Sequence, residues 1–384
     1  MASGAHEPGT ATAFRLVSAH RTLLWRWTVG MCALLAALNL LAGMAGGLAR
    51  LGMPVPAAPL ALHGAIMVCA FFGAVIALER AVALQRLPGL IAPFAAGAGG
   101  LFAWGAQTPV AAQAAWVLAA LALVALYIHA GRSRAWSLHL KVEMAGSLCW
   151  LAGTLAWAAG DLPAGVTGWV AFLVLTVAGE RRELMQMIRL PAVARWLFVV
   201  AVAMVLLAVA LSPWRAGVAS LLLWLACAML ALWLLIWDLA PRRWSAPGWA
   251  GHTAQCLTGG YLWLLTGALL GLYGLVQPGA VSATGLHAVL LGFVFAMVFG
   301  HAPIILPALL RLRPAYSAWA RPPLWLLAAS LVLRIAAAAA GNGNWLAAAG
   351  AGHVLAIVGF ALVMATAVMR GRAPGGASAS CKLS

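Results

Sequence analysis

The sequence predicts an all-α fold: a polytopic membrane helix bundle of about twelve transmembrane helices, with both termini cytoplasmic. Three observations carry this prediction. Hydrophobic residues make up 65% of the 384 residues and charged residues only 8%, whereas soluble domains average roughly 25% charged. Apolar runs of about 20 residues, each long enough to cross ~30 Å of hydrocarbon, recur along the whole chain. With the N-terminus inside, 20 of the 23 basic residues fall in inner segments or at inner helix ends. Only Arg50 and Arg215 face the other side, and Arg334 lies within a span. That asymmetry follows the positive-inside rule and supports an even number of spans in a bacterial-type cytoplasmic (inner) membrane. Strand alternation is absent, which excludes a β-barrel.

Taken in order, residues 1–22 are polar and read as a cytoplasmic leader. They are not a cleavable signal, because the first apolar run is too long for a signal-peptide core. The membrane domain covers 23–370, with spans expected at 24–48, 57–79, 88–106, 111–130, 140–160, 163–179, 193–212, 215–237, 252–276, 284–306, 322–341 and 346–369. The sixth is short. It is followed by Gly179–Arg189, in which Leu184, Met187 and Ile188 share one face and the arginines lie mostly elsewhere, the pattern of an amphipathic helix on the membrane surface. The Gly/Ser/Ala-rich tail 371–384 is expected to be disordered.

The net charge of +16 is not a nucleic-acid signal. The basic residues are spread through short loops facing one leaflet, where anionic lipid attracts them, and no soluble basic face is formed. Five of the six cysteines lie in spans and none forms a CxxC pair, so they read as small buried hydrophobes.

The chemistry-bearing residues are the intramembrane histidines. His63, His287 and His353 all fall in the outer slab of their spans, at depths of about 9, 5 and 10 Å, and Arg334 falls near 10 Å. Ionisable groups at such depth are functional-site candidates by default. Imidazole is the commonest haem-iron and metal ligand. Two imidazoles from opposing helices suit haem b, and a guanidinium suits its propionates. His63 and His287 are the candidate axial pair, with His353 as a replacement or as ligand to a second metal. Ala288, Gly292, Ala296 and Gly300 form a smooth face on the tenth helix, which admits either a flat macrocycle or a neighbouring helix. The second and tenth helices also resemble each other. Leu62-His63 and Leu286-His287 each open the helix, and Phe71 and Phe295 each follow eight residues later.

His129, His139, His252 and His301 lie at inner helix ends. His139 and Glu143 share a helix face and, with Glu79, offer an entry for protons. His252 and Cys256 also share a face and, with His301, are the candidate ligands for copper.

These motifs resemble the NnrS family of haem- and copper-containing membrane proteins. The resemblance rests on His63-Gly64-Ala65-Ile66-Met67-Val68-Cys69-Ala70-Phe71-Phe72-Gly73 in the second helix and on His252 with Gly260-Tyr261-Leu262-Trp263-Leu264 in the ninth. It continues in Leu286-His287-Ala288-Val289-Leu290-Leu291-Gly292 and Val332-Leu333-Arg334. It implies about twelve spans, haem, copper and a part in the response to nitric oxide. Glu79-Arg80 stands where that family often has a His pair. The chain is also similar to the main subunit of haem-copper oxidases, whose low-spin haem hangs between histidines of helices two and ten. The sixth and seventh helices here contain no His, however, so the oxygen-reducing copper site of that family is not built.

Three functions follow as expectations. One is a haem-b membrane protein acting in nitric-oxide tolerance or electron transfer. Another is a haem-dependent oxidoreductase acting on nitric oxide or quinol. The last is a secondary transporter without a cofactor. The expected partners are membrane lipid, a small gaseous ligand and a quinol or electron-transfer protein.

Overall fold

The computed structural model describes residues 8–55, 62–277, 280–310 and 313–372. Among the described residues there is no strand, and twelve long helices follow one another. They are α1 (Pro8–Arg50), α2 (His63–Leu84), α3 (Leu87–Gly105), α4 (Pro109–Arg134), α5 (Leu138–Ala158) and α6 (Leu162–Leu184). The second half comprises α7 (Ala192–Leu211), α8 (Ala216–Trp237), α9 (Gly248–Val276), α10 (Ala283–Pro307), α11 (Arg321–Ala340) and α12 (Gly343–Arg372). Eleven are long and apolar enough to cross a membrane. The other, α5, has 21 residues and so spans about 30 Å, but carries Lys141 and Glu143 near its start. The chain is thus an all-helical, multi-pass membrane protein.

The leader and the first span form one 43-residue helix, Pro8–Arg50, whose membrane-crossing part begins at Leu23. The second helix is described from His63, and residues 56–61, on which its expected start falls, lie outside the described part. One expectation needs correction. The sixth helix is not short, and it absorbs most of the segment expected on the membrane surface. It runs 23 residues to Leu184 and is followed by a turn in which Met185 is fully buried and Met187 fully exposed. The helix continues because Arg181 turns inward to an acidic partner, as described below. The expected disordered tail lies outside the described residues from 373 onward.

Sequential helices pack as antiparallel neighbours, and α2 and α6 are the most enclosed. Asp161 caps α6, its carboxylate accepting the Ala164 N–H at 3.0 Å, and Pro163 follows in the first turn. Small residues set the closest approach. A Cβ on Gly168 would lie 2.6 Å from the Cα of Gly153, and one on Gly153 would lie 2.7 Å from the Gly165 carbonyl oxygen, so the α5 and α6 backbones touch. In lipid, where no hydrophobic force draws helices together, such close backbone packing is a main source of association. The outward faces of α7 and α8, with Val193, Trp196, Leu207, Leu221, Leu232 and Ile236, stay exposed, as a lipid-facing surface requires.

Candidate haem-binding site

The structure brings the rings of His63 and His287 together with their planes nearly parallel. Their ring centroids are 6.4 Å apart and the ring planes are within 10° of parallel. This is too far for two rings in van der Waals contact. Two imidazoles holding one metal ion through Nε2, with ~2 Å metal–nitrogen bonds and ~1 Å from nitrogen to ring centre, would have their centroids about 6 Å apart.

Each ring is held in the tautomer that ligation requires. His63 Nδ1 donates to the Gly43 carbonyl of α1 at 2.7 Å, and His287 Nδ1 donates to the Ala283 carbonyl one turn earlier at 2.7 Å. A carbonyl can only accept, so Nδ1 carries the proton and Nε2 keeps the lone pair. Such a bond from the second ring nitrogen is the usual orienting contact of a metal-bound histidine. The α1 backbone is shaped for this. Gly43 supplies the acceptor, and a Cβ on Gly47 would lie 2.9 Å from His63 Cε1.

The local backbone repeats around both rings. Directly after His63 the chain forms a π-helical stretch, Ile66–Phe72, and directly after His287 another, Ala288–Phe295. Wide turns of this kind concentrate at functional sites. They bring Phe71 to 5.8 Å and Phe72 to 5.1 Å from Phe295, closing the floor beneath the histidine pair. The likeness of the second and tenth helices was visible in the sequence, whereas their widened turns were not.

Behind the pair stand His353 and Arg334. Both are buried, at 5% and 7% exposure. Ser330 donates to the Leu327 carbonyl at 2.9 Å, so the 2.7 Å contact between Ser330 Oγ and His353 Nδ1 is donated by the ring, again leaving Nε2 with its lone pair and no partner. Arg334 lies one turn beyond Ser330 on α11, within electrostatic reach of all three histidines. Its Nε has no partner, and among the described residues no carboxylate lies within salt-bridge distance of it.

Other expected residues go elsewhere. Among the described residues no three His, Cys, Asp or Glu side chains converge closely enough to hold a metal ion, so His353 does not join the pair as a third ligand. His252 is fully buried, donates from Nε2 to the Phe299 carbonyl at 3.2 Å and lies parallel to Phe360, with Cys256 Sγ 3.5 Å from Nε2. His301 donates to its own helix at the Met297 carbonyl. The donor set expected for copper is therefore not assembled. Nor does the smooth face of α10 await a macrocycle. Cβ atoms on Gly292 and Gly300 would meet Trp263 and Cys256 of α9, at 2.5 and 3.0 Å.

At the opposite end of the bundle lies a set of charges, of which the sequence singled out Glu143 and Glu79. Arg181 makes a two-pronged bond to Asp238 at 2.8 and 2.9 Å, and Tyr261 donates to the same carboxylate at 3.1 Å. Arg80 pairs with Glu143 at 2.6 Å and lies over the Tyr127 ring, 5.3 Å from its centroid. Asp238, Glu143, Tyr127 and Tyr261 are all fully buried.

Residues 29–369 match the family described as a domain of unknown function (DUF8744), and the chain belongs to that family. No curated protein matches the chain.

Proposed function

We propose that this protein is a membrane haem-b protein that carries electrons, with His63 and His287 as axial ligands and Arg334 as partner to the propionates. The observation that carries the reading is the parallel imidazole pair at 6.4 Å, each ring fixed by an Nδ1 bond to a backbone carbonyl. Arg334 adds to it, since a buried guanidinium without a carboxylate calls for an anion. Haem b held this way supplies one-electron chemistry at a potential set by its axial ligands and surroundings. The chain's own residues orient the two rings, keep their lone pairs free and place a positive charge beside them. Held by both histidines, a haem would supply electron transfer and not turnover of a bound gas. The chain has no CxxCH motif, so the haem is not covalently attached.

The resemblance to the NnrS family supports a setting in nitric-oxide tolerance, with a quinol or protein as electron donor. The 20-to-2 split of loop arginines and lysines supports a bacterial-type cytoplasmic membrane with both termini inside. The test is the reduced-minus-oxidised spectrum of protein purified from haem-replete cells. A b-type spectrum with bis-imidazole character is expected. A folded but colourless preparation overturns the proposal.

A further inference from the structure

The charged set around Glu143 is not needed to hold the histidine pair, and it lies at the other end of the bundle. It gathers Glu79 and Arg80 from α2, Tyr127 from α4, Glu143 from α5 and Glu180 from α6. Glu183 and His139 stand at its mouth, their side chains 3.8 Å apart, and His301 of α10 faces Glu79. The charges do not balance. Three carboxylates, Glu79, Glu143 and Glu180, lie around the guanidinium of Arg80; Arg181 also acts on Glu180, but it is already paired with Asp238. Only Glu143 Oε2 contacts the Arg80 guanidinium in a direct ion pair.

A second observation is independent of the charge count. Glu143 Oε1 and the Thr176 hydroxyl are both buried, and neither has a hydrogen-bond partner. Buried polar atoms almost always have partners, and where protein supplies none, water does. Space at this point is tightly shaped, since a Cβ on Gly179 would lie 2.5 Å from Glu143 Cγ and one on Gly146 would lie 3.2 Å from Thr176 Oγ1. The mouth is open, for Glu183 has 42% of its side chain exposed. Among the described residues these acids form no cluster of three metal-ligand side chains.

We propose that Glu79, Glu143 and Glu180 form a hydrated proton-holding site, carrying at neutral pH at least one carboxylic-acid proton exchanged with water at that end of the bundle. The step is simple and balanced: a hydronium ion at the mouth gives its proton to a carboxylate, leaving water and a neutral carboxyl group, and release reverses it. Arg80 holds one negative charge in place. Thr176 anchors the water that connects the carboxylates. In membrane proteins buried carboxylates of this kind mark proton pathways.

Infrared spectroscopy of the intact purified protein tests this without reference to haem. The carbonyl-stretch band of a neutral carboxylic acid lies apart from the amide and carboxylate bands. At neutral pH the wild-type protein is expected to show that band, to lose it as the pH is raised, and to shift it in heavy water. Glu79→Gln, Glu143→Gln and Glu180→Gln are each compared at wild-type helical content by circular dichroism, and at least one is expected to reduce the band by one carboxyl group. Absence of the band in the wild-type protein at neutral pH overturns the proposal, whatever the variants do. A band that does not exchange in heavy water, or that all three variants leave unchanged, overturns it as well.

Discussion

Replacing Gly47 by alanine isolates what α1 contributes to the histidine pair. The new Cβ would lie 2.9 Å from His63 Cε1 and 3.2 Å from Nδ1. The first distance is about 0.5 Å inside ordinary carbon–carbon contact, on a potential that rises steeply there. The ring must move away from α1, which strains or breaks its 2.7 Å bond to the Gly43 carbonyl. Loss of an orienting contact of this kind typically costs 10–100-fold in ligand affinity, or about 1.4–2.8 kcal/mol. Gly30→Ala is the matched control. It makes the same chemical change on the same helix, where a Cβ meets nothing within 4 Å. The assay is the haem-to-protein ratio after purification, followed by the rate of haem transfer to an excess of acceptor protein. Gly47→Ala is expected to lose haem about 10–100-fold faster than wild type, and Gly30→Ala at the wild-type rate. If the two variants behave alike, the Gly43–His63 contact is not holding a haem ligand and the reasoning fails.

The other predictions are briefer. His63→Ala and His287→Ala should each abolish or convert the b-type spectrum, whereas His353→Ala and His129→Ala should leave its bis-imidazole bands in place; equal loss in all four would point to misfolding. Arg334→Leu should lower the haem midpoint potential, because a positive charge near the iron disfavours the oxidised, more positive form; a redox titration with an unchanged midpoint would remove Arg334 from the site. Asp238→Ala leaves the Arg181 guanidinium buried and unpaired, so thermal unfolding in detergent should show a loss of about 3–5 kcal/mol, the usual cost of breaking one side of a buried pair. A loss below 1 kcal/mol would mean that Arg181 finds water instead.

Much of the histidine pair was legible in the sequence, because two Leu-His openings stood at the start of outward-starting spans and a membrane interior makes such residues conspicuous. His353 and Arg334 were legible for the same reason, and the structure sets them beside the pair without making His353 a third ligand. The inner charges were harder to see. Arg181 and Asp238 are 57 residues apart, and nothing in the sequence around either points to the other. Periodicity reports only the face of one helix, so it assigned Arg181 to a surface segment when its partner, Asp238, lay just past the end of α8. The Ala/Gly face of α10 was ambiguous for a related reason. Small residues announce a close approach but not what approaches, and here it is α9.

The widened turns after His63 and His287 make the site sensitive to chain length as well as to side-chain identity. A π turn holds one residue more than the α turn it replaces, so each helix contains a surplus position that ordinary α-helical register would expel. Removing one residue from Ile66–Phe72 would let α2 relax to regular winding and would swing His63 by about 100° relative to the residues below it. Phe71 and His63 could then not both face α10. The same holds for Ala288–Phe295 of α10, whose His287 and Phe295 could then not both face α2. A single-residue deletion in either stretch, harmless to the apolar character of the span and to its ability to cross a bilayer, would separate the two rings.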